Sequence, residues 1–332
     1  MKAVLMTTPG GPEVLEVRDI SVPELKRDTE LLIRLRAAGV NPLDTKLRAR
    51  GTYYPDRLPC ILGCDGAGEV VQIGNGVSRF SPGDGVYFCH GGIGGQAGTY
   101  AEYVVVDEKF VARKPEALSF TQAAAVPLVL ITAWEALLDR ARLGKGQQVL
   151  IHGGAGGVGH VAVQLAKLHG ARVITTVSTP EKASLASQYG AERTILYKRN
   201  NFVNDVMDWT AQQGVDIALD TVGGDTFVNT IPAVKVYGDL VTLLEPPTNC
   251  DWKTARLRNL RVSLELMLTP MYRGLVNAMQ HQADILGRGA DFLDSGLLKI
   301  HVEKTFPLAD AAAAHRSLMQ ASITGKIVLT MD

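Results

Sequence analysis

The chain has no surplus of either charge. Lys plus Arg and Asp plus Glu each number 34, so the formal balance is 34 − 34 = 0 over 332 residues. A nucleic-acid binder or a protein of anionic membranes needs a basic face, so neither partner is expected. Long hydrophobic runs are missing too. No stretch approaches the roughly 20 apolar residues of a membrane helix. The first residues, Met1 to Met6, meet Thr7, Thr8 and Pro9 too soon for the apolar region of a signal peptide. The four cysteines, Cys60, Cys64, Cys89 and Cys250, form no paired framework in so long a chain. A reduced, cytoplasmic protein is the expectation. Internal repeats, low-complexity tracts and long charge runs are also absent.

Glycine, by contrast, is concentrated where it carries information. The apolar residues Val149-Leu150-Ile151-His152 feed Gly153-Gly154-Ala155-Gly156-Gly157-Val158-Gly159, and a helical apolar periodicity follows at once. Gly154, Gly156 and Gly159 fit G-x-G-x-x-G, with the strand before and the helix after that the motif requires. Gly154 would allow a tight turn, Gly156 a close approach to a pyrophosphate, and Gly159 close helix–strand packing. The amides of Ala155, Gly157 and Val158 would face the phosphates at the helix N-terminus. Val158, Val161, Ala162, Leu165 and Ala166 recur at helical spacing, and Gly170 is a natural stop.

A chain of this length exceeds one ordinary core, so two domains are expected. The first third is rich in short strands and Gly/Pro turns, including the hairpin-type signal Gly74-Asn75-Gly76. From residue 148 to about 268, strands and helices alternate. Candidate strands are 149–152, 172–177, 193–196, 217–219, 238–243 and 261–265, a doubly wound pattern. A helix, a strand, a second helix and a closing strand at 327–331 follow.

The tip of the second strand lacks something as well. A site for NAD usually places an acid there to hold the ribose hydroxyls. This chain has Thr176-Val177-Ser178, with Glu181 and Lys182 shortly after. Ser178 can hydrogen-bond a 2′-phosphate and Lys182 can neutralise it, so NADPH is expected over NADH.

Several motifs now fall in a fixed order. They are Gly10-Gly11-Pro12-Glu13-Val14-Leu15, Ala38-Gly39-Val40-Asn41-Pro42-Leu43-Asp44, Leu62-Gly63-Cys64-Asp65-Gly66, Ile131-Thr132-Ala133-Trp134-Glu135, the glycine fingerprint, Asp220-Thr221-Val222-Gly223-Gly224 and Gly325-Lys326-Ile327-Val328-Leu329. In these the chain resembles the zinc-independent quinone oxidoreductase branch of the medium-chain dehydrogenase/reductase superfamily. The resemblance implies an α/β protein with a GroES-like β-barrel domain and a six-stranded doubly wound Rossmann domain. The expected divisions are 1–122, 123–268 and 269–332, the last returning to the first domain. It also implies a homodimer through the Rossmann domains.

Zinc-dependent relatives carry Cys where this chain has Asn41, and Gly-His-Glu where it has Gly63-Cys64-Asp65. Their remaining cysteine falls within residues 127–130, which hold none here. A catalytic zinc needs three protein ligands, so no metal is expected. Without it, reduction of an already electrophilic acceptor remains feasible. The resemblance implies NADPH-dependent reduction of quinones. Alternatives are reduction of α,β-unsaturated carbonyls, or NADPH binding without turnover.

By the same resemblance, Asn41 lies beside the nicotinamide and could polarise an acceptor oxygen. Tyr53 or Tyr54 resembles the family's active-site tyrosine, with Tyr53 preferred. Thr132, Val222 and Leu244 border the nicotinamide, and Tyr197 with Lys182 flanks the adenosine phosphate. Glu245 departs from the glycine common after that strand. Residues 246–274 are expected to help close the site, with Trp252, Met267, Met271 and Tyr272 as candidate lid residues.

Overall fold

A computed structural model describes residues 1–248, 250, 252–320 and 322–331. Asn249 and Asp251, inside the segment expected to close the site, lie outside the described residues. The chain forms two compact units, one of Met1–Leu128, Leu268–Gly296 and Ile300–Asp332, the other of Val129–Met267 and Leu297–Lys299.

The second unit is a six-stranded parallel sheet. Its spatial order is Arg193–Leu196, Arg172–Val177, Gln148–His152, Val215–Asp220, Val234–Thr242, Arg261–Leu264. This is the Rossmann order, with the first strand in sequence near the centre. Val149, Leu150 and Ile151 are fully buried, as are Ile217, Ala218 and Leu219. Central parallel strands are covered on both faces, which explains their unbroken apolar runs. The Gly157–Leu168 helix buries Val161, Ala162, Leu165 and Ala166. It stops at Gly170, which takes a φ of +76° and donates its N–H to the Lys167 carbonyl.

The first unit is built around the long strand Glu30–Val40, which pairs antiparallel with Asp65–Ile73, Tyr103–Asp107 and the C-terminal strand Lys326–Thr330. Register opposes Gly39 to Asp65 and Val40 to Ile327. Three segments distant in sequence thereby converge just before Asn41. A three-stranded sheet, Leu15–Asp19, Lys2–Met6 and Cys60–Ile61, completes the unit.

The helix Phe120–Ala124 belongs to this unit, so the division falls at Leu128 rather than at residue 122. The reason is close packing: a Cβ at Gly39 would collide with the Ala124 carbonyl oxygen. Gly74-Asn75-Gly76 is not a tight hairpin. The strands on either side, Asp65–Ile73 and Gly85–Cys89, pair, but residues 74–84 connect them. The Gly74 and Gly76 amides instead donate to the carbonyls of Glu30 and Asp28.

Candidate active site

In the Rossmann unit, the glycine turn joins the Gln148–His152 strand to the Gly157–Leu168 helix. The positive φ of +68° sits on Gly153, not on Gly154. A Cβ on Gly154 would collide with Thr175 Oγ1, so that glycine serves strand contact rather than turn geometry. A Cβ on Gly159 would collide with the Gly153 carbonyl oxygen, as close helix–turn packing demands. Gly156 is the N-cap and places no side chain over the first amides of the helix. Amides at a helix N-terminus, such as those of Gly157 and Val158, suit an anion.

His152 anchors this turn, which sequence reasoning missed. It is 1% exposed, with Nδ1 3.0 Å from Thr176 Oγ1 and Nε2 2.8 Å from Thr230 Oγ1. The Thr230 hydroxyl donates to the Thr226 carbonyl, so it accepts from His152 Nε2–H. Thr176 Oγ1 also accepts the Gly153 amide. Burial lowers the His152 pKa to about 4, against the pull of Asp220, so the ring is neutral.

The other expected cofactor residues follow the carboxyl ends of successive strands. Ser178 stands after Arg172–Val177, and its Oγ is buried without a hydrogen-bond partner. Lys182 lies in the first turn of the Pro180–Gln188 helix, whose Thr179 N-cap accepts the Lys182 amide. Glu181 is held locally by a hydrogen bond with Thr179, which lowers its pKa. Tyr197 follows Arg193–Leu196, is 48% exposed, and donates its amide to the Val177 carbonyl. Exposed Lys198 and Arg199 come next, two further cations at this end of the sheet. Asp220 Oδ1 accepts the Val222 and Gly223 amides, and Oδ2 accepts from Thr242 Oγ1. Leu244 donates its amide to that same Thr242 hydroxyl and packs against Gly223. Thr132 is buried on the Pro127–Trp134 helix. Trp252 meets the Phe227 ring edge-on at 5.8 Å, and Met267 is buried.

The GroES-like unit holds a buried polar cluster. Pro42 and Asp44 start the Pro42–Arg50 helix, and Asp44 Oδ2 accepts the Asn41 amide at 2.8 Å. The Asn41 side chain donates to Asp65 Oδ2 at 2.9 Å and accepts from the Lys326 ammonium. Lys326 lies 3.3 Å from Asp65 Oδ2, and Asp65 Oδ1 accepts the Leu128 amide. All are buried. The Asn41 side chain thus bridges Asp65 and Lys326. Its amide is engaged on both sides, and it organises the cluster. Burial, helped by the charge of Asp65, raises the Asp44 pKa to about 7. Tyr100 OH, in contact with His315 Nε2, donates to Asp44.

Cys64 Sγ donates to the Gly91 carbonyl. Tyr53 is part-buried, with its ring 4.8 Å from that of Tyr272. Burial, then the neighbouring Tyr272 and Cys64, raise its pKa, so the phenol stays protonated. Tyr54 meets Tyr272 edge-on at 6.3 Å and lines a cavity with Met271.

Residues 27–116 match the alcohol dehydrogenase GroES-like domain family, and residues 189–329 a family described as zinc-binding dehydrogenase. A quinone oxidoreductase of Pseudomonas aeruginosa is 36% identical, with 99% of each chain covered. The chain belongs to the quinone oxidoreductase-like medium-chain dehydrogenases/reductases. Like other members of that family, it is an oxidoreductase. Among solved members, an alcohol dehydrogenase superfamily protein from Novosphingobium aromaticivorans superposes with a TM-score of 0.92 at 33% identity, each chain fully covered. The Escherichia coli quinone oxidoreductase, solved with NADPH, gives 0.87 at 28%, covering 99% of this chain and 100% of that one.

One family description implies zinc, and the donor set here does not suit that ion. A buried ammonium, that of Lys326, stands on Asn41 and Asp65, where it would repel a cation. Among the described residues, no group of three His, Cys, Asp or Glu side chains is placed to hold a metal. A dinucleotide, by contrast, suits the uncapped glycine cradle and the unsatisfied Ser178 hydroxyl.

Proposed function

We propose that this oxidoreductase uses NADPH to reduce quinones without zinc. The observation that carries this reading is Lys326, whose buried ammonium supplies the positive charge next to Asn41 and Asp65. The quinone class rests on the names of the relatives, and the cofactor on the NADPH complexes of two solved neighbours together with the absent acid after Val177. Bound NADPH supplies a hydride. The amides of Ala155, Gly157 and Val158 hold its pyrophosphate, with Gly154, Gly156 and Gly159 giving the backbone its close approach. The Ser178 hydroxyl, turned about its side-chain bond, and Lys182 hold the 2′-phosphate, with Tyr197 alongside. Thr132, Val222 and Leu244 border the nicotinamide. Tyr53 donates a hydrogen bond to the acceptor oxygen as negative charge develops there.

Two further assignments belong to this reading. Leu264 on the edge strand is 62% exposed and Leu257 is 72% exposed. A sheet edge that pairs on one side only is a ready pairing surface, so we assign a homodimer to it. Free thiols at Cys60, Cys64 and Cys89 suit a reducing, cytoplasmic compartment. A second reading, reduction of conjugated carbonyls, is favoured by the protonated Tyr53, because the α carbon then needs a proton.

The test is dialysis of the purified protein against chelator, followed by NADPH oxidation with a quinone. Undiminished activity is expected. Activity that disappears and returns with zinc overturns the zinc-free mechanism.

A further inference from the structure

The GroES-like unit contains a cavity of about 360 Å³ that the reading above leaves unused. Its walls are of two kinds. One is apolar and flat: Tyr54, Phe110 and Ile93, with the deformable thioethers of Met271 and Met279. The other carries two guanidinium groups, Arg27 and Arg57, and no aspartate or glutamate among the described residues.

Arg57 is held in place by neutral partners, and Arg27 by one carboxylate that lies outside the cavity wall. Arg57 donates to the Gly95 carbonyl at 3.2 Å and lies 5.2 Å from the centre of the Tyr54 ring. No carboxylate pairs with it among the described residues. Arg27 spends its Nε on Glu30 at 2.8 Å, which leaves the far end of its fork uncommitted. His90 stacks on Phe110 with ring centres 5.1 Å apart and planes 17° apart. Burial lowers its pKa to about 4, so it adds aromatic surface rather than charge. The wall is built for this shape: Gly95 gives the Tyr54 ring its place, since a Cβ there would lie 2.9 Å from Tyr54 Cε2.

We propose that this cavity binds a flat one- or two-ring aromatic anion, a carboxylate or sulfonate, with its rings between Tyr54 and Phe110 and its charge on Arg57 and Arg27. The volume lies in the range of small-molecule sites. Planar forks recognise planar oxyanions in two-point fashion. The site does not depend on the assigned acceptor, because its ligand need not be reduced.

The probe is naphthalene sulfonate, a redox-inert ligand, titrated into the whole protein and followed by calorimetry. Saturable one-to-one binding is expected, weakened about tenfold in Arg57→Ala and less in Arg57→Lys. Val276 lines the cavity and is 45% exposed at the start of its helix. Val276→Trp is therefore expected to fill the cavity and abolish binding while leaving Tm and NADPH affinity unchanged. No saturable binding by the parent protein, or equal affinity in Arg57→Ala, overturns the proposal. So does unchanged binding in a folded Val276→Trp.

Discussion

The Lys326 ammonium lies 3.3 Å from the Asp65 carboxylate, both side chains are buried, and 261 residues separate them in the chain. The pair fastens the last strand to the start of the strand Asp65–Ile73, where Asn41 bonds to both partners. Removing one partner of a buried pair leaves an uncompensated charge. Lys326→Met is expected to cost about 3–5 kcal/mol in urea unfolding. Asp65→Asn combined with Lys326→Met is expected to recover much of that loss. Additive single-variant losses would show that the two groups do not act together.

His152 makes stability depend on pH. Its folded pKa, about 4, lies below the ordinary value of 6.5. The unfolded chain therefore takes up a proton that the fold refuses. The contribution is full above pH 6.5 and is lost as pH falls toward 4, at up to about 1.4 kcal/mol per pH unit. His90 and His315 are depressed by burial as well, to about 4 and about 3, and act in the same direction. Asp44, raised to about 7, acts in the opposite one. His152→Gln isolates one contribution: its unfolding free energy, measured from pH 7.5 to 5, is expected to fall less steeply than that of the parent. Identical slopes would contradict the assignment.

The choice of cofactor is assigned to the strand-tip serine. Ser178→Asp places a carboxylate where the 2′-phosphate is assigned. KM for NADPH is expected to rise about tenfold or more, with NADH improved or unchanged. Equal effects on both cofactors would detach Ser178 from the phosphate.

Gly159 has no space for a side chain, because a Cβ would meet the Gly153 carbonyl. Gly159→Ala is expected to pry helix from turn, costing about 1–3 kcal/mol and most of the NADPH affinity. Thermal melts and cofactor titration check both; a variant with parental affinity would separate the turn from the cofactor.

Tyr53→Phe removes the proposed proton donor. Reduction of an alkenal is expected to fall further than reduction of a quinone, which needs no proton at carbon. Equal losses would argue that the phenol only shapes the site.

Much of this was legible in the sequence because it is local. Strand–glycine turn–helix is a contiguous signal, and the parallel strands announce themselves as short apolar runs such as Val149-Leu150-Ile151. Ser178 was visible as an absence of acid at one position. The polar cluster was not legible. Asn41, Asp65 and Lys326 meet only through the register of Glu30–Val40 with two strands from far along the chain. Nothing within a few residues of Lys326 marks it as buried. His152 was hidden for a related reason: its partners Thr176 and Thr230 are neighbours only across the folded sheet. The arginine-lined cavity likewise gathers residues from 27 to 279.

The most direct measurement compares initial rates of NADPH and NADH oxidation, each with benzoquinone and with an alkenal. The account predicts turnover with NADPH and quinone, and little with NADH. Turnover with the alkenal alone, a preference for NADH, or tight NADPH binding with no acceptor reduced would each contradict it.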